Sequence, residues 1–322
     1  MLRLAHIIRD TARAAAQILR DHWDFDDGSL TYHRASANFV YRFTFQGEAR
    51  FLRLSPIEER EESQLRAELD FLGYLRGQGY PAAYPIATRN GHGLERTGDP
   101  ETGYFGVVFE AAQGEPLRVE KMREEHFVLW GCSLARLHLL SQDYRPASKR
   151  LSYQDYMSLL LDAFRDWGES SALRESRELA RQLARFTPNS EDYGLIHGDF
   201  QYDNIFWNDK ARTFWAIDFD DAHYHYYLMD IAYALADLPG RENEASWREA
   251  FLHGYDSVKQ LPVGYAKHMS LFDRYWRILQ FYRIVRSLEG SDTISEPPWL
   301  LGLRERLQAM GRDLRQSFDA GS

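Results

Sequence analysis

Residues 195–220 read Leu195-Ile196-His197-Gly198-Asp199-Phe200-Gln201-Tyr202-Asp203-Asn204-Ile205-Phe206-Trp207-Asn208-Asp209-Lys210-Ala211-Arg212-Thr213-Phe214-Trp215-Ala216-Ile217-Asp218-Phe219-Asp220. An apolar strand delivers His-Gly-Asp, Asn204 follows, and two aromatic and β-branched runs flank a polar turn at 208–211. With the turn centred near Lys210, Asn204 and Asp218 fall nearly opposite each other, roughly 5 Å apart at the backbone. An amide oxygen and a carboxylate placed so can share one hard cation, which prefers oxygen ligands and keeps water and phosphate in its shell. Asp199, on the loop entering the hairpin, would lie beside that cation and accept a proton from, or orient, an incoming hydroxyl. A base, an Asn and an Asp on magnesium, and a scaffold that fixes them are the parts phosphoryl transfer needs.

The pattern on either side of this hairpin differs. Before it, residues 3–22 have helical spacing of apolar side chains. Leu30-Thr31-Tyr32, Phe39 to Phe45 and Arg50 to Leu54 then read as strands, with Gln46-Gly47-Glu48 turning between the last two. A helix over 58–76 carries the apolar stripe Leu65, Leu69, Leu72 and Leu75, and Gly77 to Pro81 ends it. Strands are expected near 84–88 and 104–109, and Ala111 to Pro116 is the best linker. Helices are expected over 121–141, 153–166, 171–186, 226–238, 245–259, 266–289 and 300–317. The fold class is therefore α+β: a small antiparallel-sheet lobe over 1–111 and a larger, mainly helical lobe over 112–322.

The 322 residues carry 39 Lys+Arg against 48 Asp+Glu, a formal charge of -9, which argues against a general nucleic-acid binder. Cys132 is the only cysteine, so neither an internal disulfide nor a cysteine metal cluster is expected. No apolar run approaches a membrane span, and Arg9, Asp10 and Arg13 interrupt any leader-like segment, so no membrane partner is expected and the default location is cytoplasmic. The basic residues are strongly skewed: only Lys121, Lys149, Lys210, Lys259 and Lys267 are lysines.

His197-Gly198-Asp199-x-x-x-x-Asn204, followed by Ile217-Asp218-Phe219-Asp220, resembles the aminoglycoside phosphotransferase / choline kinase family of small-molecule kinases. The resemblance implies the bilobal protein-kinase-like fold, ATP (with GTP left open) and Mg2+ as cofactors, Asp199 as catalytic base, and Asn204 and Asp218 as magnesium ligands. Leu134-Ala135-Arg136-Leu137-His138 is similar to the helix this family packs behind the catalytic loop, where His138 reads as a hydrogen-bonded core histidine. Asp230-Ile231-Ala232 is similar to the family's Asp-Leu-Ala, and there Asp230 reads as an anchor of the catalytic loop or a helix cap. Kinase logic asks for a cation on the third strand and a glutamate on the next helix. Arg53 occupies the first position, where lysine is commoner, and a guanidinium can hold phosphate bidentately. Glu68 takes the second, on the apolar side of its helix, where an unpaired carboxylate would be costly. Ser36 and Asn38, in a glycine-free loop between strands, are candidate phosphate donors. Val107 to Ala111, including Glu110, resembles the hinge whose backbone would hold adenine.

After Asp218, the carboxylates of Asp220 and Asp221 beside Tyr224 could receive a cationic amine by charge and cation–π contact. The function expected is transfer of the γ-phosphoryl group to a hydroxyl of a small metabolite or antibiotic, cationic ones included. A Ser/Thr protein kinase of the same fold and a nucleotide-binding pseudokinase scaffold are the alternatives. The acceptor and the oligomeric state are left open.

Overall fold

The structure, a computed structural model, describes residues 12–99, 102–148, 150–262, 264–289 and 298–320. The first half of the helix expected over 3–22 lies outside these; its second half is α1, Ala12–Arg20. Three strands follow, β1 (Thr31–Ala35), β2 (Phe39–Phe45) and β3 (Glu48–Pro56), then α2 (Glu62–Gly77), β4 (Pro85–Ile86), β5 (Glu95–Thr97) and β6 (Tyr104–Glu110). They form an antiparallel sheet in the order β1-β2-β3-β6-β4, with β5 also on β6.

Strand alternation decides which face each side chain takes. Phe39, Tyr41 and Phe43 of β2 and Leu52 and Leu54 of β3 are buried in one cluster with Ala12, Ala16 and Leu19 of α1. Arg53 lies between Leu52 and Leu54 and must therefore project from the other face, which Leu65 of α2 and Val107 of β6 cover. The helix begins at Glu62 rather than at 58, because Glu59 and Arg60 donate backbone hydrogen bonds to the Pro56 carbonyl in a turn.

The chain continues as β7 (Glu115–Pro116), α3 (Glu124–Asp143), α4 (Tyr153–Asp166), α5 (Ser170–Leu183), β8 (Tyr193–Ile196), β9 (Ile205–Asn208) and β10 (Thr213–Ala216). After β11 (His223–Tyr226) come α6 (Tyr227–Leu235), α7 (Glu244–Val258), α8 (Tyr265–Leu288) and α9 (Pro298–Ala320). One large core runs through these helices and also takes in Phe71, Leu72 and Leu75 of α2.

Besides the start of α2 and the unexpected short β5, two segments differ from expectation. The end of the expected linker, Glu115-Pro116, is a strand on β9. Gly114 makes that approach feasible: its φ is +113°, and a Cβ there would lie 2.2 Å from the Trp207 carbonyl oxygen. Residues 223–226, read as part of an acidic-aromatic run leading into a helix, form β11, antiparallel to β8 with His223 opposite Ile196. A run of alternating His and Tyr has no apolar period of its own, and the free edge of β8 supplies the partner that settles it.

Candidate active site

The hairpin has the register expected from its turn. Asn208 faces Thr213 and Ile205 faces Ala216, and the ladder extends one step further through a 3.0 Å bond from the Ile217 N–H to the Asn204 carbonyl. Asn204 and Asp218 thus stand at the open mouth, one just before β9 and one just after β10. Asp218 adopts a left-handed conformation, φ 68° and ψ 60°, unusual for a residue with a Cβ. That turn sends the chain into the short helical turn Phe219–Asp221.

Below the mouth, Asp230 holds the loop that carries Asp199. Its carboxylate accepts the backbone N–H groups of His197 at 2.7 Å and Gly198 at 2.8 Å, and His138 Nε2 donates to it at 3.1 Å. The Tyr255 hydroxyl satisfies His138 Nδ1 at 2.8 Å. Although burial opposes its charge, the His138 bond and the backbone donors hold the Asp230 carboxyl below the usual carboxylate range. Gly198 is required twice over: φ is +80°, and a Cβ would lie 2.3 Å from the Asp221 carbonyl oxygen.

Asp199 is treated differently. Asn204 Nδ2 donates to its Oδ2 and to its own carbonyl, both at 2.9 Å. Its Oδ1 is buried without a hydrogen bond among the described residues, 3.6 Å from Arg283 Nη1. Burial pushes the carboxyl up, Arg283 pulls it back, and the result is about 6. Since the Asn204 amide nitrogen is committed to Asp199, its Oδ1 is the atom left for a cation. Burial and the adjacent Asp220 push Asp218 well above the usual carboxylate range, and its nearest guanidiniums, Arg53 and Arg34, are both 3.9 Å away.

Across the cleft, Arg53 and Glu68 form a two-pronged pair, Nη1 to Oε1 at 2.8 Å and Nη2 to Oε2 at 2.5 Å. Both are buried, 6% and 1% exposed, and Arg53 stacks over the Phe109 ring at 4.9 Å. Ser36 is exposed on the β1–β2 turn. Asn38 is not free for phosphate: it is 3% exposed, accepts from Ser55 Oγ at 2.7 Å and donates to Asp220 Oδ2 at 2.9 Å. Glu110 is also tied into the sheet, its N–H bonded to the Tyr84 carbonyl and its carboxylate 3.4 Å from the Tyr84 nitrogen.

The acidic pair after Asp218 does not present free carboxylates. Arg60 Nη2 donates to Asp220 at 2.7 Å and to Asp221 at 3.1 Å, and Arg283 Nη2 donates to Asp221 at 2.9 Å. Against the effect of burial, Arg283 and Arg60 hold the Asp221 carboxyl far below its ordinary range. Tyr224 lies on the opposite face of β11 from His223 and His225 and stacks on Tyr193. The structure does not bring Asp220, Asp221 and Tyr224 together as free groups: arginines pair with the two carboxylates, and strand alternation turns the tyrosine to the other face.

Arg60, Arg283 and Arg286 are candidate-site residues that sequence reasoning did not single out. Arg286 pairs with Glu59 and, like Arg60 with Asp220 and Asp221, joins the two lobes. In sequence they sit among other charged or aromatic residues with no periodic signal, and their partners are 160 to 227 positions away in three of the four bonds.

Comparisons with known proteins bear on the family and the fold. The family model described as "Phosphotransferase enzyme family" matches residues 30–269. The amicoumacin kinase of Bacillus subtilis (strain 168) is 23% identical over 325 residues, covering 97% of this chain and 93% of the relative. Among solved structures, an amicoumacin kinase in complex with AMP-PNP, Ca2+ and Ami superposes with a TM-score of 0.85 at 20% identity, covering 99% of this chain and 96% of the other. A microcompartment-associated aminopropanol kinase gives 0.74 at 22% identity, with 96% of both chains covered. These two likenesses show the fold, an antiparallel-sheet lobe on a helical lobe as in protein-kinase-like phosphotransferases.

Proposed function

The chain belongs to the phosphotransferase enzyme family, and on that premise we propose that it moves the γ-phosphoryl group of ATP, with magnesium, to a hydroxyl of a small metabolite or antibiotic. That it is a kinase for hydroxyl groups of small molecules follows from the family and its relatives; the nucleotide, the metal and the residue roles are our reading. The observation that carries it is the convergence of Asp199, Asn204 and Asp218 on one hairpin mouth, across from the Arg53–Glu68 pair.

In this reading Asp199 accepts the proton of the incoming hydroxyl, which requires its ionised form. Asn204 Oδ1 and Asp218 would hold magnesium. The fit is chemical: an amide oxygen and a carboxylate, the latter crowded by Asp220 and reached by guanidiniums only at 3.9 Å. Among the described residues no group of three or more His, Cys, Asp or Glu could hold a metal unaided, as suits an ion that takes much of its shell from phosphate and water. When bound, magnesium would neutralise charge developing on the phosphates. Glu68 fixes the fork of Arg53 at the phosphate side of the cleft, and Ser36 offers its exposed hydroxyl there.

A protein-kinase reading is disfavoured because β11 and its pairing with β8 occupy the segment between Asp218 and Asp230, leaving no extended activation segment. No helix among the described residues is long and apolar enough to cross a membrane.

The test is nucleotide affinity with and without magnesium, alongside ATP consumption against a panel of amino alcohols, homoserine, amicoumacin and aminoglycosides. Asn204→Ala and Asp218→Ala should each abolish the magnesium-dependent gain in affinity for an ATP analogue. Unchanged affinities in both variants would sink the metal assignment, and ATP binding without turnover on any acceptor would favour a scaffold.

A further inference from the structure

Arg60 and Arg283 pair with Asp220 and Asp221, which leaves part of acceptor recognition to other groups. A cavity of about 260 Å³ adjoins the catalytic loop; Gly198, Asp221, Arg283, Tyr156, Tyr233 and His223 line it. His223 begins β11 directly opposite Ile196, the last residue before the His197-Gly198-Asp199 loop. The ring is held against that loop: a Cβ on Gly198 would lie 3.1 Å from His223 Nδ1, and the Tyr156 ring packs on it at 4.6 Å.

The hydrogen bonds of this ring define its chemistry. Nδ1 lies 2.8 Å from the Asp221 carbonyl oxygen. A carbonyl can only accept, so Nδ1 carries the proton. Burial also lowers the pKa of the ring, which keeps it neutral. Nε2 is then a bare lone pair on a side chain 3% exposed, and it has no hydrogen-bond partner among the described residues. An acceptor atom stranded in this way is costly unless something donates to it.

We propose that His223 is a specificity-determining residue, its Nε2 accepting a hydrogen bond from an amino or hydroxyl group of the acceptor other than the hydroxyl that is phosphorylated. This rests on the phosphotransferase reading of the same cleft. It makes the preferred acceptor an amino alcohol or a polyol and disfavours simple alcohols of the same shape, because a buried group built to accept a hydrogen bond rejects an analogue that lacks the donor.

Two probes of nearly equal shape isolate the contact: 1-amino-2-propanol and 2-butanol, which differ by an amino group in place of a methyl. In full-length protein labelled with ¹⁵N-histidine, the free enzyme should show His223 protonated at Nδ1. Addition of 1-amino-2-propanol should move the Nε2 resonance and 2-butanol should not. A proton on Nε2, equal responses, or no response to either overturns the inference. In turnover, His223→Phe, which keeps a ring against Tyr156, should raise KM for 1-amino-2-propanol about tenfold with kcat little changed. His223→Gln, which restores an acceptor oxygen, should recover most of that loss. Wild-type transfer with an unchanged KM in His223→Phe overturns the role of His223 and leaves the kinase intact. Absence of transfer to any acceptor, with Nε2 still responding to 1-amino-2-propanol, overturns the kinase reading and supports the contact.

Discussion

Asp199 and Asp230 lie on either side of one short loop, and the fold treats them in opposite ways. Asp230 is fully buried and receives two backbone N–H groups and an imidazole. Asp199 receives one amide from Asn204, and its other oxygen has a guanidinium no closer than 3.6 Å. Desolvation acts on both, but three short donors overcome it at Asp230 and leave that carboxyl below its ordinary range, whereas at Asp199 it prevails and the carboxyl rises to about 6. A saturated carboxylate fixes backbone. An under-saturated one is a candidate for the base of the proposed reaction.

The contrast breaks most sharply by mutation. Asp199→Asn should lower kcat by about 10²–10⁴-fold, the usual contribution of a positioned base. Its melting temperature should be unchanged or higher, since a poorly solvated charge is removed. A variant that keeps its rate would show that Asp199 is not the base.

The reciprocal change, Asp230→Asn, should act first on stability. It removes the charge that His138 and the two loop amides satisfy, and breaking a buried charged network on one side costs about 3–5 kcal/mol. Thermal melts should fall by several degrees. The residual rate at low temperature should exceed that of Asp199→Asn. Equal stability in the two variants would erase the distinction.

The smallest effect is on pH dependence, and it sharpens the same comparison. In the proposed role Asp199 acts in its ionised form, so kcat/KM should fall about tenfold per unit as pH drops below about 6. Stability should not follow the rate down over that range. The folded-state pKa of Asp199 is raised, so protonating it favours the fold as pH falls. That of Asp230 is lowered, so its contribution is complete above the ordinary carboxylate range and is lost only at more acid pH. Melting curves and initial rates across this range would separate the two; rate and stability falling together would contradict the scheme.

Much of the site is legible in the sequence because its parts are local or periodic. The turn at 208–211 sets the hairpin register, and the register puts Asn204 and Asp218 at the mouth. Period two on β3 sends Arg53 away from α1, and helical spacing on α2 returns Glu68 to meet it. The lysine-poor composition points to the same place, since an arginine fork, with two donors aimed at two carboxylate oxygens, stands where a lysine is commoner.

Other features have no local signature. Asn38 was a plausible phosphate donor until Asp220, 182 residues later, accepted its amide. Asp220 and Asp221 resembled a cation receptor, but Arg60 and Arg283 arrive from a turn before α2 and from the C-terminal third of α8 to pair with them. His223 could not be distinguished from its neighbours before β11 paired with β8. The sequence determined by itself the fold class, the hairpin and the groups that converge on it, because turn chemistry and side-chain period act over a few residues. Only the tertiary structure decided which charges are satisfied and which remain available, because desolvation and Coulomb interactions depend on what lies within a few ångströms in space, whatever the separation along the chain.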